Sequence, residues 1–307
     1  MTISVEARNL SKSFGDLYAV KDINFEVERG EFFGFLGPNG AGKTTTIRML
    51  TGLITPDSGR AFIEGIDSKK DPIGAKMKMG VIPEFGNIYQ DLTAEENLHL
   101  AGKFYGMSKK QREKKSSEIL KIMKLEDRAQ DVLQNFSKGM KQRVNIGCAI
   151  IHDPPVLFLD EPTSGLDVQS RRLVIRLIQR MKDEGTTIFL TTHDINEANE
   201  LCERVGIIHE GKLVAIDRPE KLRTTFDKTQ SIETSIEGNF DPQMLKNDHV
   251  NKIQRSGDKF KIFTDDVDAT VKHLVGLADD NSFNIVSLRT CGPSLEEAFV
   301  RLTGDME

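Results

Sequence analysis

The chain has no tryptophan, and its 307 residues include only three tyrosines and three cysteines. Cys148, Cys202 and Cys291 are odd in number, widely spaced and never paired as CxxC. This pattern argues against a disulfide scaffold or a cysteine zinc site and favours reduced, packed thiols. No apolar run approaches the roughly 20 residues that span a bilayer. The first ten residues also lack the basic and apolar segments of a signal peptide.

An excess of positive charge is also missing. The chain has 42 Lys and Arg against 47 Asp and Glu, a net charge of −5, which argues against nucleic-acid binding by bulk charge. The acidity is uneven, because residues 231–307 contain 8 Lys and Arg against 14 Asp and Glu. This step in charge predicts a domain boundary near residues 225–230.

The order of predicted elements is typical of an α/β fold. Short strands open the chain, and a buried strand at 32–36 runs into a glycine-rich loop and a helix. Residues 88–152 are predicted to form a helical subdomain, with helix starts at Thr93 and Ser108. The α/β pattern then resumes with strands at 156–159, 186–191 and 205–208. We therefore expect a first domain over residues 1–225.

The last part of the chain predicts a small α+β domain over residues 226–307. Its predicted strands cover 232–236, 252–254, 259–263 and 284–288, and its predicted helices cover 267–279 and 294–302. We find no phosphate-binding or catalytic motif in it. A regulatory or dimer-stabilising role is therefore a better prediction than a catalytic one.

Residues 37–44, GPNGAGKT, match the pattern GxxxxGK[ST] between a predicted strand and a predicted helix. Glycines let the backbone curl so that its N–H groups point at phosphate oxygens, and the helix N-terminus adds partial positive charge. Lys43 is placed to reach the β- and γ-phosphates, and the Thr44 hydroxyl to ligate Mg²⁺. The motif predicts a nucleoside triphosphate site.

A second motif, VLFLDE, covers residues 156–161. Its four apolar residues predict a buried parallel strand, and Asp160 comes at the carboxyl end, where α/β folds place ligands. We expect Asp160 to hold Mg²⁺ and Glu161 to activate the attacking water as a general base.

Two further segments complete a specific order of motifs. Residues 136–143, FSKGMKQR, open a predicted helix before Asp160, and His193 follows a strand 32 residues after Glu161. With SGLD at 164–167, this order strongly resembles the nucleotide-binding subunit of ABC transporters, over about residues 3–222. The ending, PSLEEAF and LTG, resembles more weakly the C-terminal extension of daunorubicin- and sodium-exporter ATPases.

The resemblance implies a P-loop NTPase ABC cassette: a mixed sheet with N-terminal antiparallel strands and a helical subdomain. It implies that His193 contacts the γ-phosphate and that Phe14, 29 residues before Lys43, stacks on adenine with help from Tyr18. A carboxylate at Glu84, where glutamine is usual, would also ligate Mg²⁺. The nucleotide contacts that it implies are Phe14, Tyr18, Asn39, Gly40, Ala41, Gly42, Lys43, Thr44, Thr45, Ser137 and Gly139.

The resemblance also implies partners. Ser137 and Gly139 of one chain would close on the ATP held by a second copy, so two chains would complete two sites. A separate integral membrane permease would receive the motion, through the loop after Glu84 and the helices of 90–152. Phe85, Ile88 and Tyr89 are candidate contacts, with packing inside the helical subdomain as the alternative.

The sequence therefore predicts the ATP-hydrolysing subunit of an exporter, with ATP and Mg²⁺ as cofactors. It would be cytoplasmic and peripheral on the inner face of the membrane, with no nucleic-acid partner. The alternatives are a soluble ABC-type mechano-ATPase acting on nucleic acid or ribosomes, and an importer ATPase. Glu84 and Lys138, which stands where glycine is commonest, depart from the usual motifs; both departures and the tail favour export.

Overall fold

The structure, a computed structural model, describes residues 2–84, 86, 88–225, 230–238, 240–245, 249–280, 283–291 and 295–303. No helix in these ranges has the length and apolar character needed to cross a membrane. The strands are β1 Ile3–Phe14, β2 Leu17–Glu28, β3 Phe32–Leu36, β4 Ser58–Ile63, β5 Ile66–Asp67, β6 Met79–Ile82, β7 Val156–Asp160, β8 Thr187–Thr192, β9 Arg204–His209, β10 Lys212–Asp217, β11 Gln230–Gly238, β12 Val250–Ser256, β13 Lys259–Thr264 and β14 Phe283–Cys291. The helices are α1 Lys43–Leu50, α2 Pro72–Lys76, α3 Ala94–Phe104, α4 Lys109–Met123, α5 Lys138–Ile150, α6 Val168–Asp183, α7 Ile195–Leu201, α8 Pro219–Thr225, α9 Val267–Asp280 and α10 Leu295–Thr303.

The chain forms two compact units, Met1–Arg218 and Pro219–Glu307. The second unit begins with α8, which contacts α10. The predicted boundary after residue 225 therefore lies at the end of α8, and residues 226–229 are outside the described ranges. The functional division into 1–225 and 226–307 stays a prediction.

A six-stranded sheet lies at the centre of the first unit, in the order β10-β9-β3-β8-β7-β6. Its strands pair in parallel except for the β9–β10 hairpin. Every residue of β3, β7 and β8 is buried, as expected for parallel strands covered on both faces. Leu36 pairs with Thr192, and Asp160 pairs with Thr191. The predicted site residues that follow these strands are thereby brought to one edge.

A second sheet, β2-β1-β4-β5, is antiparallel throughout. Phe25 of β2 packs against Phe33 and Phe35 of β3, with ring centroids 5.7 Å apart. These contacts join the two sheets in one hydrophobic core. They also fix β2 beside the loop that follows β3, so β2 can supply residues to the same site.

The helical part of the first unit packs α3, α4 and α5 together. The predicted helix starts at Thr93 and Ser108 are confirmed as capping boxes, in which each side chain accepts a hydrogen bond from the N3 backbone N–H. The side chains of Glu96 and Gln111 each accept a hydrogen bond from the backbone N–H of the N-cap residue. Two otherwise unpaired backbone donors are satisfied at each start, which gives these helices fixed first turns.

The second unit contains an antiparallel sheet in the order β12-β13-β11-β14. Helix α9 contacts β11 and β14, and the core includes Ile232, Ile262, Leu274 and Phe283. The predicted α+β character of this region is therefore confirmed. Parts of the terminal PSLEEAF and LTG segments, residues 293–294 and 304, lie outside the described residues.

Candidate functional site

A cleft of about 660 Å³ opens at the edge of the central sheet where β3 ends. Strand β2, the loop after β3, and the ends of β6, β7 and β8 all contribute to it, as does the β9–β10 turn. Its lining residues are Leu17, Tyr18, Ala19, Lys21, Asn39, Gly40, Gly42, Lys43, Thr44, Thr45, Glu84, Glu161, Ser164, His193 and Glu210. Most of the predicted nucleotide and catalytic residues are therefore brought together.

The loop after β3 adopts a backbone conformation that requires glycine at Gly42. Gly42, the N-cap of α1, has φ 108°, a left-handed value that strains other residues. A methyl group on Gly42 would also lie 2.4 Å from the Ala19 carbonyl oxygen. The Lys43 ammonium is buried and donates hydrogen bonds to the carbonyls of Gly37, at 2.7 Å, and Pro38, at 3.1 Å. A buried cation thus lies against the loop, at the N-terminus of a helix.

Glu161 and His193 meet at the opposite wall of the cleft. Nδ1 of His193 lies 2.9 Å from Oε2 of Glu161, within hydrogen-bond distance. Oε1 of Glu161 is buried and accepts no hydrogen bond, although Lys43 Nζ lies 3.4 Å away. The Glu161 side chain lines the cleft between the His193 imidazole and the Lys43 ammonium, and a carboxylate in this position can accept a proton from a water molecule.

Asp160 ends β7 just before Glu161 and is 3% exposed. Its carboxylate accepts a hydrogen bond of 2.5 Å from the Thr191 hydroxyl of β8, so the neighbouring strand orients it. Asp160 does not line the cleft, whereas Thr44 and Glu84 do. Hydroxyl and carboxylate oxygens are the ligands that Mg²⁺ prefers, so the residues at this edge fit that ion. In the part of the chain that the structure describes, no three His, Cys, Asp or Glu side chains form a metal cluster.

The far end of the cleft differs in part from the sequence prediction. Tyr18 lines it and is 60% exposed, but Phe14 does not line it. Phe14 lies at the end of β1, with the Lys12 ammonium 5.6 Å from its ring centroid. The role of Phe14 at adenine therefore stays a prediction. Lys21 and Glu210, which the sequence reading did not select, also line this end.

Glu210 reaches the cleft through a long-range contact. It occupies the turn between β9 and β10, where the Gly211 N–H donates to the Ala41 carbonyl at 3.0 Å. The Lys21 N–H donates in turn to the Gly211 carbonyl at 2.7 Å. These two bonds tie the turn to both the loop after β3 and β2. A glutamate next to a hairpin glycine carries no signal of its own in the sequence.

The segment 136–143 begins helix α5. The Ser137 side chain caps the helix by accepting from the Met140 N–H at 3.3 Å, and both Ser137 and Lys138 are exposed. Gly139 is buried, and a methyl group on it would lie 2.1 Å from the Ser170 hydroxyl oxygen of α6. Gly139 therefore lets the first turn of α5 pack directly on α6. Ser137 and Gly139 do not line the cleft of their own chain.

Loop 161–167 has two further side-chain contacts. The Gln142 amide of α5 donates to the Pro162 carbonyl at 2.9 Å. The Thr163 hydroxyl donates at 2.7 Å to Glu197 of α7. Glu197 is 1% exposed, and burial raises the pKa of its carboxyl group. The sequence reading did not select Gln142 or Glu197.

The chain is similar in sequence and in fold to several known proteins. Residues 20–164 match the profile of a family described as ABC transporter. The chain is 37% identical to a linearmycin resistance ATP-binding protein of Bacillus subtilis (strain 168), over 98% of both chains. It is 36% identical to Nod factor export ATP-binding protein I of Rhizobium sp. (strain N33), over 98% of this chain and 97% of that one.

Solved structures are similar to about 70% of the chain. The ATP-binding subunit of an ABC transporter superposes with a TM-score of 0.67 at 34% identity, over 73% of this chain and 93% of that one. A dimeric ATP-binding cassette in a post-hydrolysis state, bound to ADP and Pi, superposes with a TM-score of 0.64 at 30% identity. That match covers 70% of this chain and 98% of the cassette.

Proposed function

Because the chain belongs to the ABC transporter family and is an ATP-binding, ATP-hydrolysing subunit of it, we propose that it powers export through a separate membrane permease. ATP hydrolysis is supported by one observation: Lys43, Glu161 and His193 line the same cleft. The proposed role in transport is supported by the similarity to an export ATP-binding protein, which extends over nearly the whole chain.

The layout of the cleft supports one orientation of ATP. The triphosphate lies over the loop 37–44, with the γ-phosphate toward Glu161 and His193 and the base toward Tyr18. Lys43 leaves its two carbonyl contacts to neutralise the β- and γ-phosphates. His193 fixes the Glu161 carboxylate by their hydrogen bond and contacts the γ-phosphate. Glu161 accepts a proton from the water that attacks the γ-phosphorus, and ADP leaves.

Thr44, Asp160 and Glu84 would hold Mg²⁺. The ion, when bound, neutralises charge on the phosphate oxygens. Thr191 keeps the Asp160 carboxylate oriented at the strand end. Glu84 brings a formal negative charge where the family usually has a neutral amide, so this site would depend more strongly on a bound cation.

Two copies of the chain would complete two sites, head to tail. Ser137 and Gly139 lie at a helix N-terminus that is not used by the cleft of the same chain. Free N–H groups and the helix dipole at this position suit an anion. The γ-phosphate held by the partner copy is the anion that we assign to it.

The permease would dock on the helical part of the first unit. A groove of about 210 Å³ lies between α3 and α5, near the end of β6. Tyr89 and Phe104 line it and are 56% and 71% exposed. Ile88 is partly buried, and Phe85 lies outside the described residues. The apolar groove suits a short segment of a cytoplasmic permease loop, which would place the chain on the inner face of the membrane.

Transport into sealed vesicles tests this proposal. The chain and its permease would be produced together, and inside-out membrane vesicles would receive ATP on the outside. An exporter accumulates its substrate in these vesicles, whereas an importer does not. The Lys43→Ala chain is the control, because it should abolish accumulation. ATPase activity without any permease-dependent stimulation would instead favour a soluble mechano-ATPase.

A further inference from the structure

The backbone of Glu161 is in an unusual conformation. Its φ is 50°, in the left-handed region that residues with a β-carbon rarely adopt. Such a conformation is unfavourable and persists only where the surrounding structure holds it. Glu161 also provides the carboxylate that faces the cleft. What holds its backbone therefore decides where that carboxylate lies.

Main-chain hydrogen bonds account for part of the restraint. The Glu161 N–H donates to the Thr191 carbonyl at 3.1 Å, and the Ser164 N–H donates to the Glu161 carbonyl at 3.1 Å. The first bond extends the pairing of β7 with β8, and the second closes a turn. Neither bond involves Pro162 or Thr163, the two residues that follow Glu161.

Side chains from two different helices hold these two residues. Gln142 of α5 donates to the Pro162 carbonyl at 2.9 Å, and Glu197 of α7 accepts from the Thr163 hydroxyl at 2.7 Å. Burial of a carboxylic acid is unfavourable unless hydrogen bonds compensate it, yet Glu197 is 1% exposed. Neither Gln142 nor Glu197 lines the nucleotide cleft. What the two side chains share is a hydrogen bond to the loop that begins at Glu161.

We propose that Gln142 and Glu197 are positioning residues, which clamp the Pro162–Thr163 segment from two sides and keep the Glu161 carboxylate beside His193. This inference rests on the assignment of Glu161 as the general base. Gln142 lies on the helix whose first turn carries Ser137 and Gly139. The clamp thus connects the part of the chain that meets the partner's nucleotide with the base of its own site.

Isosteric substitutions test the clamp. Thr163→Val removes the hydroxyl at nearly constant volume, Thr163→Ser keeps it, and Gln142→Leu removes the amide. Each full-length variant would be tested for kcat and KM of ATP hydrolysis, for binding of a fluorescent ATP analogue, and for melting temperature. Glu197→Gln keeps the size of the acceptor but removes its charge, and it should lower kcat as Thr163→Val does. Glu200→Gln is its matched control, because Glu200 is an exposed glutamate on the same helix as Glu197.

A clamp predicts a loss confined to turnover. Thr163→Val and Gln142→Leu should each lower kcat about 10-fold or more, since small displacements of a catalytic group cost this much. Analogue affinity should stay within about twofold, Thr163→Ser should recover most of kcat, and Glu200→Gln should behave as the unaltered chain. Both contacts restrain one segment. In a chain with both Thr163→Val and Gln142→Leu, the fold-loss in kcat should therefore be smaller than the product of the two single losses.

Other results would overturn the clamp. Unchanged kcat in both Thr163→Val and Gln142→Leu would do so, as would equal falls in kcat, affinity and melting temperature, which would indicate a general structural role. Glu161→Gln separates this inference from the proposed function. Normal hydrolysis by Glu161→Gln removes the base assignment, whereas an inactive Glu161→Gln beside fully active clamp variants removes the clamp alone.

Discussion

The ammonium nitrogen of Lys43 lies 3.4 Å from a carboxylate oxygen of Glu161, and both side chains are almost fully buried. Lys43 is the first residue of α1 and Glu161 follows β7, so the contact joins two elements that line the cleft. The two charges have different tasks in the proposed reaction, because one binds phosphate and the other accepts a proton. Substitution of each should therefore produce a different defect.

Removal of the Lys43 ammonium should abolish nucleotide binding. In Lys43→Ala, the cation that faces the β- and γ-phosphates is lost, so ATP affinity and turnover should both collapse while the fold persists. Titration with a fluorescent ATP analogue, together with circular dichroism, measures both properties. ATP affinity within about twofold of the unaltered chain would contradict the assignment, since a charge-assisted contact contributes more than this.

Glu161→Gln should separate binding from hydrolysis. The amide keeps the size of the side chain but cannot accept the proton, so turnover should fall about 100-fold or more, which corresponds to about 2.7 kcal/mol in the barrier. ATP binding should be retained. Closed dimers should then accumulate with ATP and elute earlier in size-exclusion chromatography. A near-normal rate of hydrolysis would show that another group is the base.

The second unit should be dispensable for nucleotide binding. It has its own core, and none of its residues that the structure describes lines the cleft, so a chain that ends at Arg218 should fold and bind ATP. Its dimer affinity or its coupling to the permease should change instead, which ATPase activity against protein concentration and vesicle transport would measure. Loss of ATP binding in a well-folded truncated chain would refute this division. Unchanged dimerisation and transport would refute the regulatory role.

His152 should make stability depend on pH. It stacks on Tyr105 with ring centroids 3.4 Å apart, and burial lowers the pKa of its imidazole to about 4. His152 therefore takes up its proton near pH 6.5 in the unfolded chain but only near pH 4 in the folded chain. The free energy of unfolding consequently falls as the pH drops from 6.5 toward 4. The loss should be about 1–2 kcal/mol, allowing for partial solvent exposure.

Urea unfolding at pH 7.5 and pH 5.0 measures this dependence. The His152→Gln chain should lose less stability between the two pH values than the unaltered chain. His249→Gln, at an exposed histidine of the second unit, is the control and should keep the full dependence. An identical loss in all three chains would mean that other groups cause it.

The parts of the site that the sequence predicted are local. Asp160 ends a buried strand and Glu161 follows it, while Lys43 and Thr44 begin the helix after the loop that follows β3. Parallel strands bring their carboxyl ends to one edge. His193 follows the strand between them in the sheet. The motifs and the strands together predicted that Lys43, Thr44, Asp160 and Glu161 lie at this edge, whereas His193 was predicted from the family resemblance. All of them line the cleft except Asp160, which is buried.

The remaining parts depend on contacts that spacing cannot indicate. Glu210 reaches the cleft because Gly211 bonds to Ala41 and Lys21, which requires the β9–β10 hairpin to lie against β2. The resemblance implied that Phe14 and Tyr18 both contact adenine, but only Tyr18 lines the cleft of the structure, and the irregular register of β1 against β2 could not be predicted from spacing. In the sequence, Glu197 is indistinguishable from other polar residues of a helix. Its hydrogen bond with Thr163 depends on how the chain folds.

The position of Tyr18 also provides an optical reporter. The chain has no tryptophan and only three tyrosines, and Tyr18 is the one that lines the nucleotide cleft, since Tyr89 and Tyr105 line the groove of the helical part. A Tyr18→Trp chain would therefore emit indole fluorescence from a single place, on the wall of the cleft where we propose that the base binds. Occupancy of the cleft could be followed in real time with unlabelled ATP, with no background from indole elsewhere in the molecule.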